Sequence, residues 1–319
     1  MLTIFKGDIV ARVLFEKSRS GYRTVRGQII KRIQSSLKKA GMSPGDIDGI
    51  FGKDTKAALI EWQQAKGFVQ TGSVDVETWK SIVSEDIPTI FDRALQLTAE
   101  FEGHNFEKAV GNFDNAWLTW GIIGFTLKHG EIQKIIKEIH QKHPTIIKSS
   151  FGELEKELLD VINGSSNEQR NWSNKISIGR NRYRILPTWE EAFEKLGSFP
   201  EVQAIQVQGA QRYWDIAKRD VNRFSLKTEA SIALCFDIAV QNGGIDSTEA
   251  RKIKRKLSSI DPTDEEDVRV IISNVVAENS NPRWIEDVRK RKLTIATGEG
   301  VVHGSRYQIS TWGIGEFPI

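Results

Sequence analysis

Glu102-Gly-His-Asn-Phe-Glu-Lys-Ala-Val-Gly-Asn-Phe-Asp-Asn-Ala-Trp-Leu-Thr-Trp-Gly-Ile-Ile-Gly-Phe125 interrupts a chain that reads mainly as helix on both sides. Polar and aromatic residues alternate in it around Gly111-Asn112 and Asp114-Asn115, which predicts a small β-hairpin or meander closing on Gly121-Ile-Ile-Gly-Phe125. Just upstream, Ala94, Leu95, Leu97 and Thr98 belong to a helix that starts near Thr89 and ends near Glu102-Gly103. Downstream, helical periodicity covers roughly 129–142, 151–162, 188–196, 201–222, 226–242, 246–258, 264–279 and 283–296. The stretch from Asn163-Gly-Ser-Ser-Asn167 to Gly179 reads as a polar loop, and the tail from Gly298 to Trp312 as a Gly-rich turn between two short strands. The expected class is therefore mainly α, with one small sheet set into a helical lobe.

Composition narrows the function classes. The 319 residues are 39% apolar and 27% charged, which fits a folded globular chain. No apolar run reaches the roughly 18 to 20 residues of a spanning helix, so no membrane insertion is expected. The single Cys235 excludes an internal disulfide or a multi-cysteine zinc site, and its apolar neighbours Ser231-Ile-Ala-Leu-Cys-Phe236 mark it as a core residue. The five histidines are scattered, and His140 and His143, the closest pair, lack a nearby acid, so neither a metal nor a cofactor is expected. Met1-Leu-Thr-Ile-Phe-Lys-Gly-Asp8 lacks the pattern of a secretory signal. Residues 1–39 hold ten Lys/Arg against Asp8 and Glu16, a front that attracts polyanions. No nucleic-acid motif accompanies that charge, so an anionic wall is expected as partner and nucleic acid is not.

Ahead of the lobe, Ile29, Ile33 and Leu37 mark one face of a helix over Gln28–Ala40 that Gly41 ends. Pro44, Gly45, Asp46, Asp48 and Gly49 then make a loop. A second helix buries Ala58, Leu59 and Trp62, with Asp54 or Thr55 as its cap, and a short third one after Asp75 carries Trp79 and Ile82. Asp48-Gly-Ile-Phe-Gly52, Thr55, Ala58, Trp62-Gln63, Gly67, Thr71-Gly72, Asp75 and Thr78-Trp79 resemble, in order and spacing, the three-helix peptidoglycan-binding domain of cell-wall hydrolases. The resemblance covers residues 25 to 84 and implies a wall-binding module. It divides the chain into a basic arm (1–24), that module (25–84), a linker at 85–88 and a lobe from 89 to 319.

The lobe carries a second resemblance. Ala94-Leu-Gln-Leu97, Glu102, Asp114, Thr119 and Gly121-Ile-Ile-Gly-Phe125 resemble the active-site segment of the chitosanase branch of the lysozyme superfamily, and Phe236-Asp237 with Gly243 resembles a second segment of it. The resemblance implies a lysozyme-like α+β fold. It also implies Glu102 as general acid, Asp114 as general base, Thr119 as the residue that holds the attacking water, and Asp237 as a buried acid paired behind the site with Arg289 or Arg291. Glycosidic cleavage needs a protonated acid and an ionised carboxylate. Phe101 and Phe106 around Glu102 suit the first, and Asn112 and Asn115 around Asp114 suit the second. Glu100 is the rival acid, but its two-residue offset puts it on a different helix face. Trp117 and Trp120, flanking Thr119, suit stacking on sugar rings or packing under the hairpin.

Together these residues lead to a peptidoglycan hydrolase that cuts between N-acetylmuramic acid and N-acetylglucosamine, by resemblance with inversion. Chitosan, a polycation, suits the basic front less well. Chitosanase, a lytic transglycosylase needing only Glu102, and a noncatalytic wall binder are the alternatives. A monomeric, phage endolysin-like enzyme, released to the wall through a holin or by a secretion machine, is the biological setting expected.

Overall fold

Helical periodicity carries through to the structure, a computed structural model that describes residues 12–260, 262 and 264–319. Among these residues the chain forms fourteen α-helices and four small sheets, three of two strands and one of three. Two compact units result: one combines the chain through Leu97 with Ile216–Ile319, and the other is Thr98–Asp215. The cuts fall elsewhere than the boundaries read from the sequence.

The first unit begins with β1 (Val13–Glu16), so the arm is part of the fold from residue 12 on, while its residues 1–11 lie outside the described ones. Helices α1 (Gln28–Lys39) and α2 (Lys53–Ala65), β2 (Ser73–Asp75) and α3 (Val76–Ile82) follow, and β2 pairs antiparallel with β1. Ile30, Ile33, Leu37, Phe51, Leu59 and Trp79 close the small core. Two buried glutamines hold its loops. Gln34 accepts from the Gly49 amide (2.8 Å) and donates to Asp48 (2.9 Å), and Gln63 accepts from the Gly72 amide (2.9 Å) and donates to the Ser73 carbonyl (3.0 Å). Neither Asp54 nor Thr55 caps α2, whose N-cap is Gly52. Thr55 is buried instead and accepts from Gln34 (3.2 Å), whereas Asp75 does cap α3 through the Thr78 amide (2.7 Å).

The rest of this unit is the first part of α4 (Ile90–Glu102) and the chain from Ile216 onward. There α11 (Glu229–Asn242), buried all round as far as Ala239, packs against α13 (Glu265–Glu278) and α14 (Ile285–Ala296). Its thiol, Cys235, is buried and pushed well above the usual range by desolvation. Asp237 pairs with Arg291 (2.7 Å) and also with Lys292 (2.5 Å), all three fully buried. Burial opposes the Asp237 charge, but the two cations outweigh it and hold its pKa down at about 2. Arg289, the other candidate partner, reaches Glu286 instead. At the amino end of α11, Glu229 takes a two-pronged bond from Arg93 (2.7 and 3.1 Å) and one from Arg12 (2.5 Å). The arm also meets the tail, where β8 (Glu299–Val302) and β9 (Ser305–Gln308) form a hairpin: the Arg23 amide donates to the Arg306 carbonyl (2.6 Å) and Ser18 to Thr311 (3.3 Å).

The second unit holds the end of α4, a three-stranded antiparallel sheet of β3 (Ala109–Val110), β4 (Thr119–Trp120) and β5 (Phe125–Thr126), and a helical layer. That layer comprises α5 (Glu131–Lys142), α6 (Pro144–Phe151), α7 (Glu155–Asn163), α8 (Ser166–Ile176), α9 (Pro187–Ser198) and the first part of α10 (Pro200–Arg223). Trp120, Phe151, Trp172, Trp189 and Phe193 form its aromatic core, with Trp172 edge-on to Trp189 at 4.9 Å. Buried Glu131 ties sheet to helices, accepting from the Thr126 amide (2.9 Å), the Tyr213 hydroxyl (2.7 Å) and Arg212. The segment read as a polar loop is α8, opened by a capping box in which Ser165 and Glu168 each satisfy the other's backbone amide. Between α8 and α9, β6 (Ser177–Ile178) and β7 (Arg184–Ile185) form a short hairpin.

Candidate active site

Glu102 closes α4. Gly103 takes a left-handed φ of 64°, its amide reaches the Glu100 carbonyl (3.1 Å) and the His104 amide reaches Ala99 (3.0 Å), the paired bonds of a Schellman ending. A carboxylate there faces the negative end of the helix macrodipole, so helix stability does not explain an acid at this position. One Glu102 carboxyl oxygen is shielded from solvent. The following loop is pinned by Asn105, which accepts from the Glu107 (3.1 Å) and Lys108 (2.7 Å) amides, and by Lys108 Nζ on the Gly103 carbonyl (2.7 Å).

Asp114 is exposed on the connection from β3 to β4. Its own side chain folds that loop by accepting from the Ala116 amide (3.0 Å), and Asn112 does the same for Trp117 (3.0 Å), with Asn115 and Trp117 both at positive φ. The loop's conformation is thus set by short polar side chains that tolerate it. Thr119 opens β4 and is buried. Behind it the Gly121-Ile-Ile-Gly124 turn is held by Gln206 of α10, which accepts from the Ile122 amide (3.0 Å) and donates to the Phe106 carbonyl (2.9 Å). Gly124 has φ 70°, and a Cβ on it would stand 3.1 Å from the Thr119 methyl and 3.3 Å from His104 Nε2. Only glycine lets the threonine and the imidazole close on this turn.

His104 joins the pieces. Desolvation lowers its pKa to about 4, Lys108 pushes the same way, and the charges of Glu102 and Asp114 oppose the shift. Both acids therefore act on one neutral, mostly buried ring whose Nδ1 has no hydrogen-bond partner among the described residues. Nothing in the sequence pattern marked this residue beyond its place two positions after Glu102. Trp120 lies elsewhere than a stacking position. It is fully buried against Phe193 (5.4 Å between centroids), because the short strand turns it into the aromatic core, so it packs and does not meet sugar. Trp117 is half-buried at φ 71°. The exposed rings near Asp114 are instead Phe113 and Tyr183. Asp237 and Arg291 belong to the other unit. Among the described residues no group of three or more His, Cys, Asp or Glu could hold a metal, and no helix is long and apolar enough to cross a membrane.

Residues 26–82 match the family model described as putative peptidoglycan binding domain. No curated protein matches the chain. Among solved structures, the chain is similar to a GH46 chitosanase of Gynuella sunshinyii in complex with chitotetraose, at 14% identity and a TM-score of 0.41 over 67% of this chain and 88% of that one. A mutant chitosanase from Bacillus subtilis MY002 complexed with six GlcN matches at 14% identity and a TM-score of 0.49, over 70% of this chain and all of that one.

Proposed function

We propose that the chain is a glycoside hydrolase of bacterial peptidoglycan, cutting the β-1,4 bond from N-acetylmuramic acid to N-acetylglucosamine. The observation that carries this reading is two acids, one at a helix end and one on a loop before a buried threonine, whose charges converge on one imidazole. In it, Glu102 gives its proton to the leaving glycosidic oxygen as the C1–O bond breaks. A water adds its oxygen to C1 and passes a proton to Asp114, and the Thr119 hydroxyl orients that water, so the anomeric configuration inverts. The similarity of residues 26–82 to peptidoglycan-binding domains and the cationic front supply the reason for a wall substrate.

Clearing of a bacterial wall suspension tests the reaction. Glu102→Gln and Asp114→Asn should each slow it by about 10² to 10⁴-fold, the usual worth of a positioned acid or base. Mass spectrometry of the soluble fragments should find reducing sugar ends. Anhydro ends with loss in the Glu102→Gln variant alone would replace this mechanism by a transglycosylase, and release of sugar from chitosan but not from walls would overturn the substrate.

A further inference from the structure

Beside Asp114 the second unit carries an exposed aromatic pair that the reaction does not use. Phe113 and Tyr183 are 46% and 44% exposed, with ring centroids 5.2 Å apart and planes tilted by 60°. Side by side, the two rings present an apolar face on which a sugar ring can stack. Lys108 Nζ stands 6.0 Å from the Tyr183 ring centre, and Arg180, Arg182 and Arg184 are exposed on the hairpin that carries Tyr183.

The two segments are stapled together. The Gly111 amide donates to the Tyr183 carbonyl (2.8 Å) and the Asn112 amide to Ser177 Oγ (2.9 Å). Asn174 Oδ1 accepts from both Asn112 Nδ2 (2.9 Å) and Arg182 Nη1 (2.5 Å). A Cβ at Gly111 would fall 2.8 Å from the Arg184 carbonyl, so the backbones touch. Asn181 and Arg182 are both left-handed, at φ 55° and 58°, a conformation disfavoured for residues with a Cβ. Such strain is retained where a fixed side-chain placement is worth it. Here it sets an arginine and a tyrosine at a constant position relative to Asp114.

Segments 108–114 and 177–185 contain Lys108, Arg180, Arg182 and Arg184 and a single acid, Asp114 itself. Among the described residues none of the four cations forms an ion pair. A polycationic glycan would be repelled by this surface, whereas one with a carboxylate on alternate sugars would find a ring face for the sugar and a guanidinium for the carboxylate. We propose that Phe113 and Tyr183, with Arg180, Arg182 and Lys108, form a glycan subsite beside the base that selects carboxylate-bearing, N-acetylated strands. The proposal deepens the muramidase reading and rests on it for the strand's approach to Asp114.

Its test uses full-length protein made inert by Glu102→Gln, so that binding is read apart from cleavage. The probes are peptide-free glycan strands released from walls by an amidase, which expose lactyl carboxylates, and neutral chitin hexamer. Calorimetric titration compares this parent with Phe113→Ala/Tyr183→Ala and with Arg180→Glu/Arg182→Glu, and any binding by residues 26–82 is common to all. The aromatic variant should lose about tenfold for both probes, the range expected for removing sugar-stacking rings. The charge variant should lose about tenfold or more for the anionic strands, more at low salt, and less than about twofold for chitin. All these side chains are exposed, so an unchanged thermal unfolding midpoint verifies the fold. Loss confined to the aromatic variant would leave no charge selection and overturn the proposal, as would unchanged affinity in both. Either failure leaves the wall-clearing result for Glu102 and Asp114 standing, and absent clearing by the wild type would overturn the reaction without touching the binding comparison.

Discussion

At the scale of single residues, His104 has the most measurable consequence. Its folded pKa near 4 lies below the ordinary histidine value of 6.5, under burial first, with Lys108 adding and Glu102 and Asp114 opposing. The unfolded chain therefore binds a proton that the folded one refuses between those two values. Stability is full above about pH 6.5, falls as the pH drops through the window, and levels off below about 4 at a loss near 3 kcal/mol. Urea unfolding at pH 7.5, 5.5 and 4.5 should show that slope, and His104→Gln should flatten it. A lone histidine is silent in a sequence because its meaning lies in burial. The places of Glu102 at a helix end and of Asp114 and Thr119 on the ribbon after it were legible from helix and turn signals, while their roles come from the resemblance and belong to the proposal. The place of Trp120 was not legible, since an indole suits a sugar face and a core equally and only the strand's orientation decides.

Among elements, the Gly121–Gly124 turn and α8 are the informative ones. Gly124→Ala must push against the Thr119 methyl or the His104 ring from a backbone conformation alanine resists. With circular dichroism unchanged, wall clearing should fall about a hundredfold, the usual cost of displacing catalytic groups by an ångström. Helix α8 escaped the periodicity because its buried face is half polar: Gln169 and Ser173 alternate with Trp172 and Ile176. Ser165-x-x-Glu168 was the available sign. Ser165→Ala should cost about 1 kcal/mol in chemical denaturation, because it frees the Glu168 amide and the Glu168 side chain's bond to the serine hydroxyl. The helices with a continuous apolar stripe, such as α1 and α5, followed from the sequence because burial there needs no polar partner.

For the whole molecule, the division into units was the least legible feature, since contacts between the front of a chain and its tail leave no local trace. Phe15 shows their weight. It is fully buried on a strand within the expected arm and packs on Trp79 (6.2 Å between centroids), so Phe15→Ala should cost about 3 to 5 kcal/mol. Asp237→Asn should cost a similar amount, about 3 to 5 kcal/mol, because Arg291 and Lys292 would keep buried charges without their counter-ion. Thermal unfolding of both variants checks these values.

The seam between arm and tail also dictates an order of events on the ribosome. Leu14 and Phe15 are synthesised long before the Gly313 turn that lies against the Leu14 carbonyl, whereas Thr98–Asp215 is continuous and can close as soon as it emerges. Nascent chains halted once Asp215 has left the ribosome should therefore already protect the sheet around Thr119 from protease, while the strand beginning at Val13 stays open to cleavage until the Gly313 turn has emerged.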